Sequence, residues 1–155
     1  MKLYLVQHAE AKNKETDPSR PLTEEGFKAI KKMASYAEKY LHIHIDQIIH
    51  SGKLRAKQTA DVLSEYLHPT KGVVVSKDLE PLTDPKLWKK RLETATTDIM
   101  LVGHLPHLSK LTSKLFYEGE SREVVTFKMG GILCLKKDED NQWTIQWMVT
   151  PEIIP

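Results

Sequence analysis

Hydrophobic and polar positions follow two alternating patterns along the 155 residues. Short apolar runs rich in β-branched residues predict strands, and apolar positions recurring three and four residues apart predict amphipathic helices. The predicted strands cover residues 2–6, 46–51, 72–76 and 98–104. The predicted helices cover residues 21–41, 53–67, 84–95 and 106–116. A C-terminal β-hairpin is predicted over residues 130–149, with its turn at 138–141.

Strands that alternate with helices predict an α/β fold. The run over residues 98–104 is almost wholly apolar, which is typical of a central parallel strand covered on both faces. The chain has the length of one domain and contains no internal repeat or linker-like tract. We therefore expect a single domain over residues 1–155, built as a three-layer α/β/α sandwich with a mostly parallel central sheet and the C-terminal hairpin.

Helix starts and hairpin faces can also be predicted from individual residues. Thr23, followed by two glutamates, has the character of an N-cap. Asp84 precedes Pro85, a residue favoured at the first helical position, and is the predicted cap of the third helix. In the hairpin, Trp143 and Trp147 alternate with polar residues, so we expect them to cover one hydrophobic face of the sheet.

Composition and charge argue against several classes of protein. The formal net charge is only +2 and Lys and Arg form no block, so nucleic-acid binding is not expected. No apolar stretch approaches the roughly 18 residues of a membrane-spanning helix, and the first apolar run is too short for a signal peptide. The single cysteine, Cys134, lies among apolar residues and is expected to be buried and inert. We therefore expect a cytoplasmic protein that does not bind membranes.

Two of the predicted strands end on a histidine. His8 follows the first strand and His104 follows the fourth, while Arg55 lies in the first turn of the helix after the second strand. Functional groups of open α/β sheets gather beyond the carboxyl ends of the strands, where helix N-termini also favour anions. Two imidazoles and a guanidinium at that edge would suit an oxyanionic ligand, although either histidine alone is more often a structural polar residue.

Four segments resemble motifs of the histidine phosphatase superfamily, in the same order along the chain. LVQHAEA (5–11) resembles the motif R-H-G or R-H-A, and SRPLTEEG (19–26) resembles R-P-L-T-x-x-G. SGKLRAKQTA (51–60) resembles S-P-x-L-R-A-x-Q-T-A, and LVGHLP (101–106) resembles V-G-H-x-P. The short chain and the R-P-L-T segment are most similar to the small bacterial phosphohistidine phosphatases.

The resemblance implies roles for four positions. His8 would be the nucleophile that is transiently phosphorylated, with its other ring nitrogen held by a backbone carbonyl. Arg55 would bind phosphoryl oxygens with its two-pronged guanidinium, and His104 would donate to them as charge shifts in the transition state. Arg20 would be a further phosphate contact, unless it is a solvent-exposed loop residue. The resemblance implies no metal and no cofactor, because the cationic pocket takes the place of a metal ion.

The chain departs from the family pattern at Gln7, where the family normally has arginine. Glutamine can offer an amide N–H to a phosphate oxygen but brings no charge. Loss of a charge-assisted hydrogen bond worth about 1.5–3 kcal/mol would weaken phosphate stabilisation about 10- to 200-fold. Either Arg20, Arg55 and a lysine such as Lys12 compensate, or the protein is a slow enzyme or a binding module.

The general acid is the second open position. Larger family members have a carboxylic acid that protonates the leaving group, and Glu80 lies near the corresponding region, followed by Asp84. Glu80 could equally be an exposed loop carboxylate, and Glu10 could face away from His8.

The hypothesis that follows is a phosphohistidine phosphatase acting on a phosphorylated protein, for example a histidine phosphotransfer domain. No insertion is long enough to form a lid, which favours a substrate presented on a protein surface. Two alternatives stay open: a catalytically weakened phosphate- or phosphoprotein-binding module, and a phosphatase for a small phosphate ester.

Overall fold

The computed structural model describes residues 1–155 and contains every predicted helix and strand. A π-helical turn over Ala37–Leu41 and a 3₁₀ turn over Lys77–Leu79 complete the regular structure. The strands are β1 (Lys2–Gln7), β2 (Gln47–His50), β3 (Val73–Val75), β4 (Ile99–Gly103), β5 (Ile132–Lys137) and β6 (Trp143–Val149), and the helices are α1 (Glu24–Tyr36), α2 (Leu54–Leu67), α3 (Lys86–Thr94) and α4 (His107–Phe116).

The six strands form one sheet in the order β3-β2-β4-β1-β5-β6. Strands β1 to β4 are parallel, whereas β5 runs antiparallel to β1 and pairs with β6 as a hairpin. The predicted α/β fold with a mostly parallel sheet and a C-terminal hairpin is confirmed.

Two apolar cores flank the sheet, as a three-layer sandwich requires. On β1, Tyr4 and Val6 belong to the core that includes residues of α1 and α2, while Leu3 and Leu5 belong to the core that includes residues of α3 and α4. Because side chains alternate across a strand, β1 and β4 supply both cores and are buried on both faces.

The central strands bring the candidate residues to one edge of the sheet. Strands β1 and β4 are hydrogen-bonded neighbours in which Gln7 pairs with Gly103, so the residues that follow them, His8 and His104, leave the sheet side by side. Strand β2 pairs with the other side of β4, and the loop after it leads into α2 and Arg55.

The predicted Thr23 cap is in place, whereas Pro85 rather than Asp84 is the residue directly before α3. The Thr23 hydroxyl oxygen accepts a hydrogen bond from the Gly26 N–H at 2.9 Å, which satisfies one of the free amides of α1. At α3, Asp84 Oδ1 accepts from the Lys86 N–H at 2.9 Å. Helix α1 begins at Glu24 rather than at residue 21, because Leu22 forms a β-bridge with Ala11.

The expectation that Trp143 and Trp147 share a face of the sheet is wrong. A register shift between Cys134 and Leu135 changes the alternation of β6 by one residue. Trp147 therefore packs on the core that contains Tyr4, and Trp143 packs on the opposite core. Cys134 is fully buried in β5 as predicted, and burial raises the pKa of its thiol to about 11.

Gly26 is the point of closest approach between α1 and the loop after His8. A Cβ atom at this position would lie 2.1 Å from the Glu10 carbonyl oxygen, which also accepts from the Thr23 N–H. We expect Gly26→Ala to lower the free energy of unfolding by about 1–3 kcal/mol, because the helix start must move away from that backbone. Urea denaturation measures the loss, and Ala34→Gly, in the middle of α1, is a comparison variant that introduces no such overlap. Unchanged stability of Gly26→Ala would contradict the close contact.

None of the helices is both long enough and apolar enough to cross a membrane.

Candidate active site

His8 and His104 face each other beyond the ends of β1 and β4. Their ring centroids lie 5.1 Å apart, with the ring planes inclined at 53°. Both residues are buried, with His8 8% and His104 2% exposed. Two histidines separated by almost a hundred residues along the chain thus form one compact pair.

The orientation of His8 is determined by its Nδ1 atom, which lies 2.7 Å from the Ala9 carbonyl oxygen. A carbonyl oxygen only accepts, so Nδ1 carries the proton of the neutral ring and Nε2 keeps its lone pair. The expected hydrogen bond to a backbone carbonyl is thereby confirmed. Burial lowers the pKa of His8 to about 4, and the charges of Arg55 and Arg20 act in the same direction. At neutral pH, Nε2 is therefore available as a nucleophile.

His104 is held through its other nitrogen. Its Nε2 lies 2.6 Å from the Ser51 hydroxyl oxygen, which also accepts from the Lys53 N–H at 3.2 Å. When the Ser51 hydroxyl donates its proton to Nε2, the proton of the neutral His104 ring lies on Nδ1, an atom that is buried and has no hydrogen-bond partner. Burial and the neighbouring His8 and Arg55 lower the pKa of His104 to about 3.

Arg55 and Arg20 supply positive charge beside the histidine pair. Arg55 lies in the first turn of α2, half-buried, with a buried Nε atom that has no hydrogen-bond partner. Burial and the charge of Arg20 lower the pKa of its guanidinium. Arg20, in a left-handed backbone conformation with φ 49°, donates from Nε to the Lys12 carbonyl oxygen at 3.0 Å. Both arginines line an open cleft of about 390 Å³, together with Lys53 and Glu80.

Among the three acidic residues considered from the sequence, only Glu80 lines this cleft. Its Oε2 lies 3.9 Å from the Lys53 ammonium, and both side chains are partly exposed. Asp84 accepts a hydrogen bond from the Lys86 N–H at the start of α3, and Glu10 accepts a hydrogen bond from the Thr23 hydroxyl at 2.8 Å. The geometry thus leaves Glu80 as the candidate for the general acid, and that role stays a prediction.

Gln7 is half-buried at the end of β1. Its carbonyl oxygen accepts from the Gly130 N–H at 2.9 Å, and its side chain makes no hydrogen bond to the protein. Lys12, named from the sequence as a compensating cation, is exposed and does not line the cleft. Lys53 lies there instead, at the variable position of the S-P-x-L-R segment, where motif matching gives no signal.

The residues of the chain offer no cluster of three or more His, Cys, Asp or Glu side chains suited to a metal ion.

Stability should fall with acid, in part because of His8 and His104, which are two of four buried histidines whose pKa burial lowers; the others are His50 and His107. The pKa values in the folded protein, about 4 for His8 and about 3 for His104, lie below the value near 6.5 of an unfolded histidine. The unfolded chain therefore binds protons first, and the stability present above pH 6.5 is lost progressively toward pH 4. Urea unfolding between pH 7 and 5.5, above the range of most carboxylates, should show the slope, and His104→Gln should flatten it. His44→Gln, which replaces an exposed histidine, is the control. If stability changes equally with pH in the unaltered protein and in both variants, the lowered pKa of His104 is contradicted.

Comparisons with known proteins agree with this arrangement. The sequence model described as histidine phosphatase superfamily (branch 1) matches residues 3–82, about half of the chain. Phosphohistidine phosphatase SixA of Escherichia coli (strain K12) is 26% identical over 97% of this chain and 94% of its own length. An uncharacterized protein of Picosynechococcus sp. is 31% identical, with coverage of 88% and 85%. The structure of the protein histidine phosphatase SixA complexed with tungstate superposes with a TM-score of 0.82, at 25% identity and 97% coverage of both chains. The chain belongs to the histidine phosphatase superfamily, branch 1.

Proposed function

We propose that the protein is a metal-independent phosphohistidine phosphatase that dephosphorylates a protein histidine through a phospho-His8 intermediate. The observation that supports this most directly is the histidine pair itself. His8 has Nδ1 held by Ala9 and Nε2 free, and the neutral ring of His104 lies 5.1 Å away, centroid to centroid.

The reaction has two steps. In the first, the Nε2 lone pair of His8 attacks phosphorus, and the P–N bond to the substrate imidazole breaks with its electron pair passing to the leaving nitrogen, which takes a proton from the Glu80 carboxyl group or from solvent water. In the second, water attacks the phosphorus and gives up a proton to the Glu80 carboxylate or to solvent, the P–Nε2 bond breaks with its electron pair returning to Nε2, and inorganic phosphate leaves. Two easier steps replace one difficult step. An imidazole is a far better leaving group than an alkoxide. Its departure therefore depends less on proton donation by Glu80 than departure of an alkoxide depends on the general acid of a phosphate-ester hydrolase.

The cationic groups bind the phosphoryl oxygens in this proposal. Arg55 and Arg20 neutralise the charge that a metal ion carries in other phosphoryl-transfer sites, and the His104 Nδ1–H donates to an equatorial oxygen as charge develops. Gln7 contributes an amide N–H without charge. The buried, unpartnered Nε of Arg55 and Nδ1 of His104 are donors that a bound phosphoryl group would satisfy.

The proposed substrate class is supported by the openness of the cleft and by the similarity to a phosphohistidine phosphatase. We expect kcat/KM for a phosphorylated histidine phosphotransfer domain to exceed kcat/KM for each of a panel of sugar phosphates by about 100-fold or more. Only the protein substrate has an imidazole leaving group and a protein surface that can contact the enzyme. Release of inorganic phosphate measures both. Equal or better turnover of a sugar phosphate would instead support the small-ester phosphatase.

A binding module is the second candidate, and Gln7 is the observation that favours it. An uncharged residue beside the nucleophile weakens transition-state stabilisation more than ground-state binding, which is the property expected of a protein that holds a phosphorylated partner without turning it over. Stoichiometric binding of the phosphorylated domain with no phosphate release would establish this function in place of the phosphatase.

A further inference from the structure

Leu82 is the most exposed large hydrophobic residue of the chain, with 89% of its surface accessible. It follows Glu80 in the segment after the 3₁₀ turn and belongs to neither apolar core. Packing within the fold therefore gives no reason for a leucine at this position.

The position of Leu82 relates it to the active site. It lines the same cleft as Arg20 and Arg55, and two further apolar residues of the cleft, Leu54 and Pro81, are half-buried beside it. Tyr40, another exposed hydrophobic residue, lies at the end of the α1 region, near the opposite edge of the sheet. An apolar patch thus borders the phosphate-binding arginines.

The charges of the cleft exceed what one phosphoryl group needs. Lys14, Arg20, Lys53 and Arg55 face a single carboxylate, that of Glu80. Lys53 pairs with Glu80, whereas Lys14 is exposed and forms no ion pair within the chain. With both arginines assigned to the phosphoryl group, Lys14 remains as an unpaired positive charge next to an apolar surface.

We infer that Lys14, Leu54, Pro81 and Leu82, the cleft rim, form a docking surface for an acidic face of the partner protein around its phosphorylated histidine. This inference rests on the proposed phosphatase function and specifies how the substrate is selected. His8 is only 8% exposed, and Arg20 and Arg55, whose charges act on the pKa of His8, line the cleft. A phosphoimidazole that reaches His8 must therefore project into the site beside these arginines, which brings the surface that surrounds it onto the rim. A carboxylate of the partner pairs with Lys14 and an apolar side chain packs on Leu82. A small aryl phosphate reaches His8 without touching either residue.

Two substrates and two pairs of variants test the docking surface. The substrates are p-nitrophenyl phosphate and a phosphorylated histidine phosphotransfer domain. Leu82→Asp and Lys14→Glu alter the rim, while Tyr40→Asp and Lys39→Glu make the same kinds of change near the opposite edge of the sheet. For the phosphorylated domain, we expect each rim variant to lower kcat/KM by about tenfold or more, through lost apolar contact or like-charge repulsion. For the aryl phosphate, we expect less than about a twofold change, and the control variants should leave both substrates unaffected.

The outcomes separate the docking surface from the function on which it rests. Loss confined to the protein substrate supports the rim. Unchanged turnover of the protein substrate by both rim variants, or an equal loss for both substrates in variants that remain folded, would overturn it. If the unaltered protein releases phosphate from neither substrate, the proposed phosphatase function itself fails, and the rim fails with it.

Discussion

His8→Ala should abolish turnover of p-nitrophenyl phosphate, with a loss on the order of 10⁴- to 10⁶-fold, as expected when a covalent nucleophile is removed. His104 is no substitute in the proposed mechanism, since its Nε2 contacts the Ser51 hydroxyl and its Nδ1 donates to the phosphoryl group. A continuous assay of nitrophenolate release measures the effect, which is the largest we expect of any substitution in the chain.

Two controls make the His8→Ala result interpretable. In the proposed site, binding of inorganic phosphate by titration calorimetry should persist, because Arg55, Arg20 and His104 remain, and thermal unfolding should show an intact fold. His44→Ala, which removes an exposed histidine from the opposite side of the sheet, should retain full activity. Turnover by His8→Ala within about tenfold of the unaltered protein would rule out His8 as the nucleophile.

Gln7→Arg should raise kcat/KM for the aryl phosphate by about 10- to 200-fold, the effect of adding one charge-assisted hydrogen bond to the developing charge. The half-buried side chain of Gln7 makes no hydrogen bond that would be lost, and Gln7 pairs with Gly103 next to His8. Initial rates over a range of substrate concentrations give the value. An unchanged or reduced rate in a folded variant would show that the site does not gain from a positive charge at residue 7.

The same substitution tests whether Lys53 compensates for Gln7. We expect Lys53→Met to lower kcat/KM about tenfold in the unaltered protein but less than about threefold when Gln7→Arg is present, since one cation then replaces the other. Lys57→Met is the matched control, because Lys57 lies four residues further on and is paired with Asp61 outside the cleft. Additive effects of the two substitutions would show that Lys53 and residue 7 act on separate groups.

Much of the fold could be predicted because local pattern and tertiary packing agree. The apolar run of β4 and the amphipathic spacing of α1 and α2 predict elements that the structure confirms, and Thr23 is the N-cap of α1 as predicted. The tryptophans of β6 could not be assigned to faces, because the bulge that separates them depends on pairing with β5, which local sequence does not specify.

Part of the candidate site could also be predicted from the sequence, and part could not. His8, His104 and Arg55 converge because each follows one of three neighbouring parallel strands, a relation that the order of elements already implies. Ser51 and Lys53 were missed because their importance lies in long-range contacts, with His104 and with Glu80. For Ser51 a signal was available, namely its position at the start of the S-P-x-L-R segment. The role of Lys12 as compensating cation stays a prediction, because its side chain is exposed and does not line the cleft.

The most direct test is to look for the covalent intermediate. The protein is mixed with excess phosphorylated histidine phosphotransfer domain, quenched in alkali within the first turnover, and digested for mass spectrometry under conditions that preserve acid-labile phosphate. We predict a phosphoryl group on the imidazole of His8, which is absent from a sample quenched in acid and heated. Rapid phosphate release with no phosphate on His8 at any time point, or with phosphate on a different residue, would contradict the proposed mechanism.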